Sequence, residues 1–264
     1  APTASRHMLV STPDRHLVFF GTETTIGDKT TQDDMFVRFS DQEDINTYTP
    51  TATNTAGTQR LADGSRIVGA IRGRDAIYVY TDTALFTQRF VGQPFTFAFS
   101  QVGTNCGLVG KNAAVEVDGA AYWMSENGFF KYAGALETLP CLVEDFVYDD
   151  VNLDSGNQMI FAGLNNLFGE VMWFYPTSNS AVVNKMVCYN YQDNTDGIST
   201  YYQHETGTDQ VKGGTVTAIT ANILSGDFDI TQRLQRGATT GSADIRGDGE
   251  FIMKIRRFVP DFIS

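Results

Sequence analysis

The side chains able to do acid–base, nucleophilic or metal chemistry are few, and their spacing suits none of the common schemes. There are three histidines, His7, His16 and His204. A zinc hydrolase needs two of them one helical turn apart with a glutamate between, and no such run exists. His7 and His16 flank a predicted hairpin, which favours hydrogen-bonded strand-edge positions over ligation. No Gly-x-Ser-x-Gly elbow is present to expose a nucleophile. The glycine-rich stretch Gly103–Gly110 (GTNCGLVG) lacks the Lys-Ser/Thr ending of a phosphate-cradling loop. Asp244-Ile245-Arg246-Gly247-Asp248-Gly249 begins like a calcium loop. It places Arg246 where an oxygen ligand is required and has no closing glutamate, so it reads as a turn.

Two further constellations keep an alternative open. Glu144-Asp145 and Asp149-Asp150 lie near Tyr148. Glycoside hydrolysis needs two carboxylates facing each other at roughly 5–9.5 Å, so these pairs are either a glycosidase site or a solvated acidic face. Trp123, Tyr122, Trp173 and Tyr175 could form a sugar-binding platform. Alternate strand positions pack inward, so a core role competes with it. Cys106, Cys141 and Cys188 are widely spaced, without a Cys-x-x-Cys pair or a nearby histidine, and read as buried free thiols in a reducing compartment. On this reading no residue is assigned as catalytic, cofactor-binding or metal-ligating, no cofactor is expected, and the protein is expected not to be an enzyme.

The elements that carry these residues are strands. The chain is 42% hydrophobic and 19% charged, a globular balance, and its 19 Phe and 11 Tyr favour pleated, half-buried surfaces. Apolar runs at His7–Val10 and His16–Phe20 flank a Pro13-Asp14 turn, and Met35–Ser40 alternates as a third strand. Asp41 to Asp63 reads as one long polar connection, and it is the expected constricting loop of any channel. Arg66–Ile71, Ala76–Tyr80 and Ala84–Val91 form a second unit. Ala113–Val117, Ala120–Met124, Phe129–Tyr132 and Leu136–Leu139 form a third, with Asp118-Gly119 and Asn127-Gly128 as its hairpin turns. Met159–Leu164, Gly169–Tyr175 and Lys185–Tyr191 form a fourth. Cys141–Asp150 fits a short helix or a strand edge. Thr215–Leu224 and Phe251–Val259 are strand-like, with a glycine-rich loop at Gln235–Gly249 between them. Successive middle strands recur at roughly 45 to 50 residues, a propeller-blade period. The expectation is an all-β fold of antiparallel meanders, propeller-like, over residues 1–200. Residues 201–264 are expected to add a C-terminal β layer that closes or flanks it. An ordinary meander or sandwich is the competing arrangement.

The net charge is −12, which argues against holding nucleic acid through clustered cations. It suits a wall past which DNA must slide, and it equally suits simple solubility. From Cys141 to Thr200 there are eight acidic residues and one basic one, Lys185. Lys254, Arg256 and Arg257 form an opposite patch, as ring assembly would use, or as ordinary surface variation would leave. No apolar run reaches the roughly 20 residues of a membrane span, and no signal peptide is read at the start. The chain opens Ala1-Pro2-Thr3 as if already inside a domain.

Several phrases carry a resemblance. They include Ser40-Asp41-Gln42-Glu43-Asp44, Pro50–Gly57, Phe90-Val91-Gly92-Gln93-Pro94-Phe95-Thr96-Phe97 and Gln101–Gly107. Ala114–Gly119, Trp173-Phe174-Tyr175-Pro176 and Arg256-Arg257-Phe258-Val259-Pro260-Asp261-Phe262 continue the series. Together they resemble virion structural proteins of marine short-tailed bacteriophages and, more distantly, the podovirus tail nozzle, also called the hub or DNA-stabilisation protein. The resemblance covers most of residues 7–192 and roughly 220–262. It implies a homohexameric ring below the adaptor ring, continuing the DNA ejection channel and carrying a tail fibre or needle. It further implies non-specific contact with DNA, a place in the virion tail, and assembly in the host cytoplasm. The stretch between Tyr191 and Tyr201 is shorter than that pattern. Outside the resemblance, a carbohydrate-binding or glycan-degrading β-propeller module is the alternative function.

Overall fold

Each of the four predicted strand units becomes one antiparallel sheet in which chain order is also spatial order. A computed structural model describes residues 1–12, 14–141, 143–154, 157–180, 182–192, 200–203 and 222–225. The first sheet holds β1 (His7–Ser11), β2 (His16–Phe20), β3 (Phe36–Phe39) and β4 (Gly57–Arg60). The second holds β5 (Ile67–Arg72), β6 (Ile77–Thr81), β7 (Ala84–Gly92) and β8 (Thr96–Thr104). The third holds β9 (Ala114–Val117), β10 (Ala120–Ser125), β11 (Gly128–Tyr132) and β12 (Leu136–Leu139). The fourth holds β13 (Phe161–Asn165), β14 (Glu170–Tyr175), β15 (Lys185–Asn190), β16 (Thr200–Gln203) and β17 (Asn222–Ser225). One short helix, α1 (Glu144–Tyr148), lies between the third and fourth.

The protein is therefore all-β and built of propeller-like meanders. β1 lies beside β5, β5 beside β9 and β9 beside β13, so the first strand of every sheet stands in one row. A parallel bridge between Asn112 and Phe161 ties the starts of the third and fourth sheets. Among the described residues the row is not closed into a ring. β16 and β17 carry the fourth sheet past residue 200, so that sheet crosses the expected boundary between residues 200 and 201. The expected strand Phe251–Val259, the loop Gln235–Gly249, the Lys254, Arg256 and Arg257 patch, the Asp244–Gly249 turn and His204 lie outside the described residues, as does Pro13.

Three strands went unread in the sequence, β4, β8 and β16. β4 and β8 are the outermost strands of their sheets. β4 (GTQR) is half-buried to exposed throughout, so it carries no apolar alternation to read.

The cores explain why these runs are strands. All of β6 (IYVYT) and all of β10 (AAYWMS) are buried, because the second and third sheets are covered on both faces. Ile77 and Val79 face the first sheet, with Val18, Phe20, Val37, Phe86 and Phe97. Their alternates Tyr78 and Tyr80 face the third, with Trp123, Phe130 and Tyr132. Period-two alternation thus serves two cores at once. Trp123 and Trp173 are fully buried, and each indole N–H is satisfied by a main-chain carbonyl, Cys106 at 2.8 Å and Ala113 at 3.1 Å. Both carbonyls belong to the segment joining the second sheet to the third.

Candidate functional site at the loop and hairpin end of the first two sheets

The connection from β3 to β4 is the longest turn of the first sheet, and its polar residues bond to one another. Asp44 accepts the Asn46 N–H at 2.8 Å and the Thr47 hydroxyl at 2.7 Å. Asn54 donates to the Thr49 carbonyl and accepts from the Thr51 N–H, both at 2.9 Å. At the foot of the loop, Asp41 accepts the Thr55 hydroxyl at 2.6 Å and the Thr55 and Gln42 N–H groups at 2.8 and 2.9 Å. These bonds, the Thr55 hydroxyl foremost, hold the Asp41 carboxyl below its ordinary pKa.

Arg38 of β3 holds the middle of the same loop from beneath. It is buried, and its guanidinium donates to the Thr24 carbonyl at 2.7 Å and to the Glu23 and Tyr48 carbonyls at 3.3 Å. Burial lowers its pKa from the free value. Its Nε and the Tyr48 hydroxyl are buried without a partner. Tyr48 itself packs edge-on to Phe19, with ring centroids 5.6 Å apart. The Glu23 side chain is also buried and accepts the Gly27 N–H at 2.7 Å and the Thr3 N–H at 3.0 Å.

His16 stands where the loop meets the second sheet. Its Nδ1 is 3.0 Å from Asp14 Oδ2, and its Nε2 is 3.0 Å from Thr55 Oγ1. A carboxylate, an imidazole and a hydroxyl in this order have the connectivity of a hydrolytic triad. The chemistry does not follow. The one hydroxyl proton of Thr55 is directed at Asp41, the closest partner, and its oxygen already accepts the Gln42 N–H at 2.9 Å. The imidazole is wholly buried, with the rings of Phe39, Phe90 and Phe97 at centroid distances of 6.4, 5.7 and 5.1 Å. No substrate can approach the hydroxyl along the imidazole's face. The arrangement pins the loop, and no signal in the spacing of Asp14, His16, Asp41 and Thr55 announces it.

The other residues singled out from the sequence land apart from this site. His7 Nε2 lies 3.0 Å from the Ala70 carbonyl, linking the first two sheets, and burial lowers its pKa. Trp123, Tyr122, Trp173 and Tyr175 are all buried in the core, which removes the sugar platform they could have formed. Burial pushes the Tyr122 hydroxyl up to about 12. Glu144, Asp145 and Asp149 are exposed on and after α1, while Asp150 is ion-paired with Lys185, whose ammonium lies 4.6 Å from the centre of the Phe146 ring. A carboxylate neutralised by a buried lysine is poorly placed to serve as base or nucleophile. Tyr148 donates its hydroxyl to the Ser125 carbonyl at 2.7 Å.

Of Gly103–Gly110, the residues 106–110 are a buried splice between sheets, while Thr104 and Asn105 are exposed. The N–H groups of Cys106, Leu108 and Val109 go to the carbonyls of Thr83, Thr81 and Met124, so none of the three is free for a phosphate. A side chain at Gly107 would meet the Asp82 carbonyl at 2.1 Å, and one at Gly110 the Asn157 carbonyl at 2.1 Å. No disulfide joins Cys106, Cys141 or Cys188, and burial pushes Cys141 up to about 12. Among the described residues, no group of three or more His, Cys, Asp or Glu is placed to hold a metal ion, and no helix is long and apolar enough to cross a membrane. No family model matches the chain, and no curated protein matches it.

Proposed function

We propose that the protein is a structural subunit of a short phage tail, forming a nozzle ring that continues the DNA ejection channel below the adaptor ring and helps retain packaged DNA. The observation that supports this best is the row of first strands. Four meanders packed face to face with β1, β5, β9 and β13 side by side make a curved wall, as a propeller body would. The net charge of −12 is compatible with a channel that must not grip phosphates. The phrase-level resemblance gives the reading its name. In it, the partners are five further copies of the chain, the tail adaptor, a fibre or needle, and DNA without sequence reading.

One expectation changes with the fold. Loop 41–56 springs from β3 and β4, the outer half of the first sheet, and β2 separates it from β1, that sheet's member of the row of first strands. If that row faces the channel, the loop belongs to the outer side of the wall. A turn adjoining a first strand, such as 73–76, is then better placed to constrict the lumen.

Immunogold labelling of the parent particle with an antibody against this chain tests the proposal. Label at the distal end of a short tail is expected. Its absence from intact and disrupted particles alike would remove the virion role.

A further inference from the structure

We propose that Thr55 is the pin of an acid-released clasp that makes loop 41–56 and the β7–β8 hairpin move as one body. Three parts of the fold converge on this residue. Its hydroxyl and N–H both donate to Asp41, at 2.6 and 2.8 Å, closing the loop on its own foot. Its Oγ1 lies 3.0 Å from His16 Nε2, tying the loop to β2. Its carbonyl accepts the Thr96 hydroxyl at 3.0 Å, reaching the tip of the hairpin, where Thr96 pairs with Gly92.

The hairpin side is equally committed. Phe90 and Phe97 face each other across it in the strand register, and both rings pack on His16. Thr96 sits at φ +60°, a conformation that a β-branched residue rarely adopts, and its hydroxyl bonds to the Thr55 carbonyl from there. Beyond Gln88, the last partner of β6 on β7, the hairpin outruns β6. No neighbouring strand fixes its tip on that side, so the clasp, which takes hold at Thr96, tethers the tip itself.

The trigger is the Asp41 carboxylate, which receives three donors. The charged groups around the clasp are Asp14 on the far side of the imidazole, the Arg15–Glu43 pair at the surface, and Asp44 within the loop. Phe39, Phe90 and Phe97 bring no charge. Asp41 is held below 3.8 in the folded state. A depressed carboxylate contributes above its unfolded value and loses that contribution as pH falls through its folded value. The clasp is therefore closed at neutral pH and opens in acid.

Hydrogen–deuterium exchange on the purified chain at neutral pH tests this. Thr55→Val should accelerate exchange about tenfold in peptides from both 41–56 and 89–97, with β9–β12 as unchanged reference. Thr55→Ser, which keeps the hydroxyl, should restore protection. Acceleration confined to the loop overturns the coupling. If Thr55→Val fails to fold, Asp41→Asn makes the same test from the loop side. As pH is lowered through the folded value of Asp41, with rates corrected for intrinsic exchange, the parent chain should come to match Asp41→Asn at neutral pH. Protection kept in acid overturns the release.

Discussion

The two inter-sheet cores are built on different terms. Between the second, third and fourth sheets the anchors are Trp123 and Trp173, and each indole N–H finds a carbonyl in the connecting segment. Tyr80 is the exception there, its hydroxyl buried and unpartnered. Between the first and second sheets the core is aliphatic and phenylalanine-rich, and polar groups enter at one end. His16 is satisfied there by residues of the turn and the loop, whereas Gln88 is 1% exposed with both amide atoms unpartnered. Where a connecting segment threads between sheets, its own main chain supplies acceptors. Where sheets meet without one, side chains must supply them, and at Gln88 they do not.

Substitutions can break or sharpen this contrast. The largest effect should come from Trp123→Ala, about 3–5 kcal/mol of stability in denaturant unfolding, from the cavity and the orphaned Cys106 carbonyl together. Arg38→Met keeps the bulk but leaves the carbonyls of Glu23, Thr24 and Tyr48 without their donor, two of them buried, and should cost about 2–3 kcal/mol. Trp123→Phe preserves an aromatic ring while removing the N–H, and about 1–3 kcal/mol should be lost. Gln88→Met should run the other way, neutral or stabilising by about 1 kcal/mol, since it replaces an unpaired amide with an apolar chain of similar size. If Gln88→Met costs as much as Trp123→Phe, the two cores are not built differently after all.

Acid gives the subtlest comparison. Asp28 and Asp41, both in loops of the first sheet, are held below 3.8 by hydroxyl donors, Thr30 and Thr55 in turn. Their contribution is complete above that value and lost as pH falls through the folded values. An acid titration followed by near-ultraviolet circular dichroism should show a shallower slope in an Asp28→Asn, Asp41→Asn variant than in the parent chain.

Most strands of the fold were legible because their burial is. Val171, Trp173 and Tyr175 alternate with half-buried neighbours, and Asp118-Gly119 marks the β9–β10 hairpin turn, with both residues at positive φ. β4 escaped because an exposed edge strand has no apolar face to display. β8 escaped differently, since Thr96, Phe97, Ala98 and Phe99 do alternate by type but lie past Val91, where the second unit read from the sequence stops. The His16 site was not legible at all. Its members are joined by the return of a loop across about 40 residues, and polar residues in a loop leave no periodic trace of what they bond.

The row of first strands has a consequence for how the chain reaches this structure. Every sheet is completed from consecutive residues, and each packs on the sheet made just before it. Strand pairing within each sheet therefore joins neighbours in the chain, which favours faster folding than pairing between distant strands would. The sheets can form in the order of synthesis as the chain leaves the ribosome, each templating the next. An error in one should stall those that follow it and spare those already made.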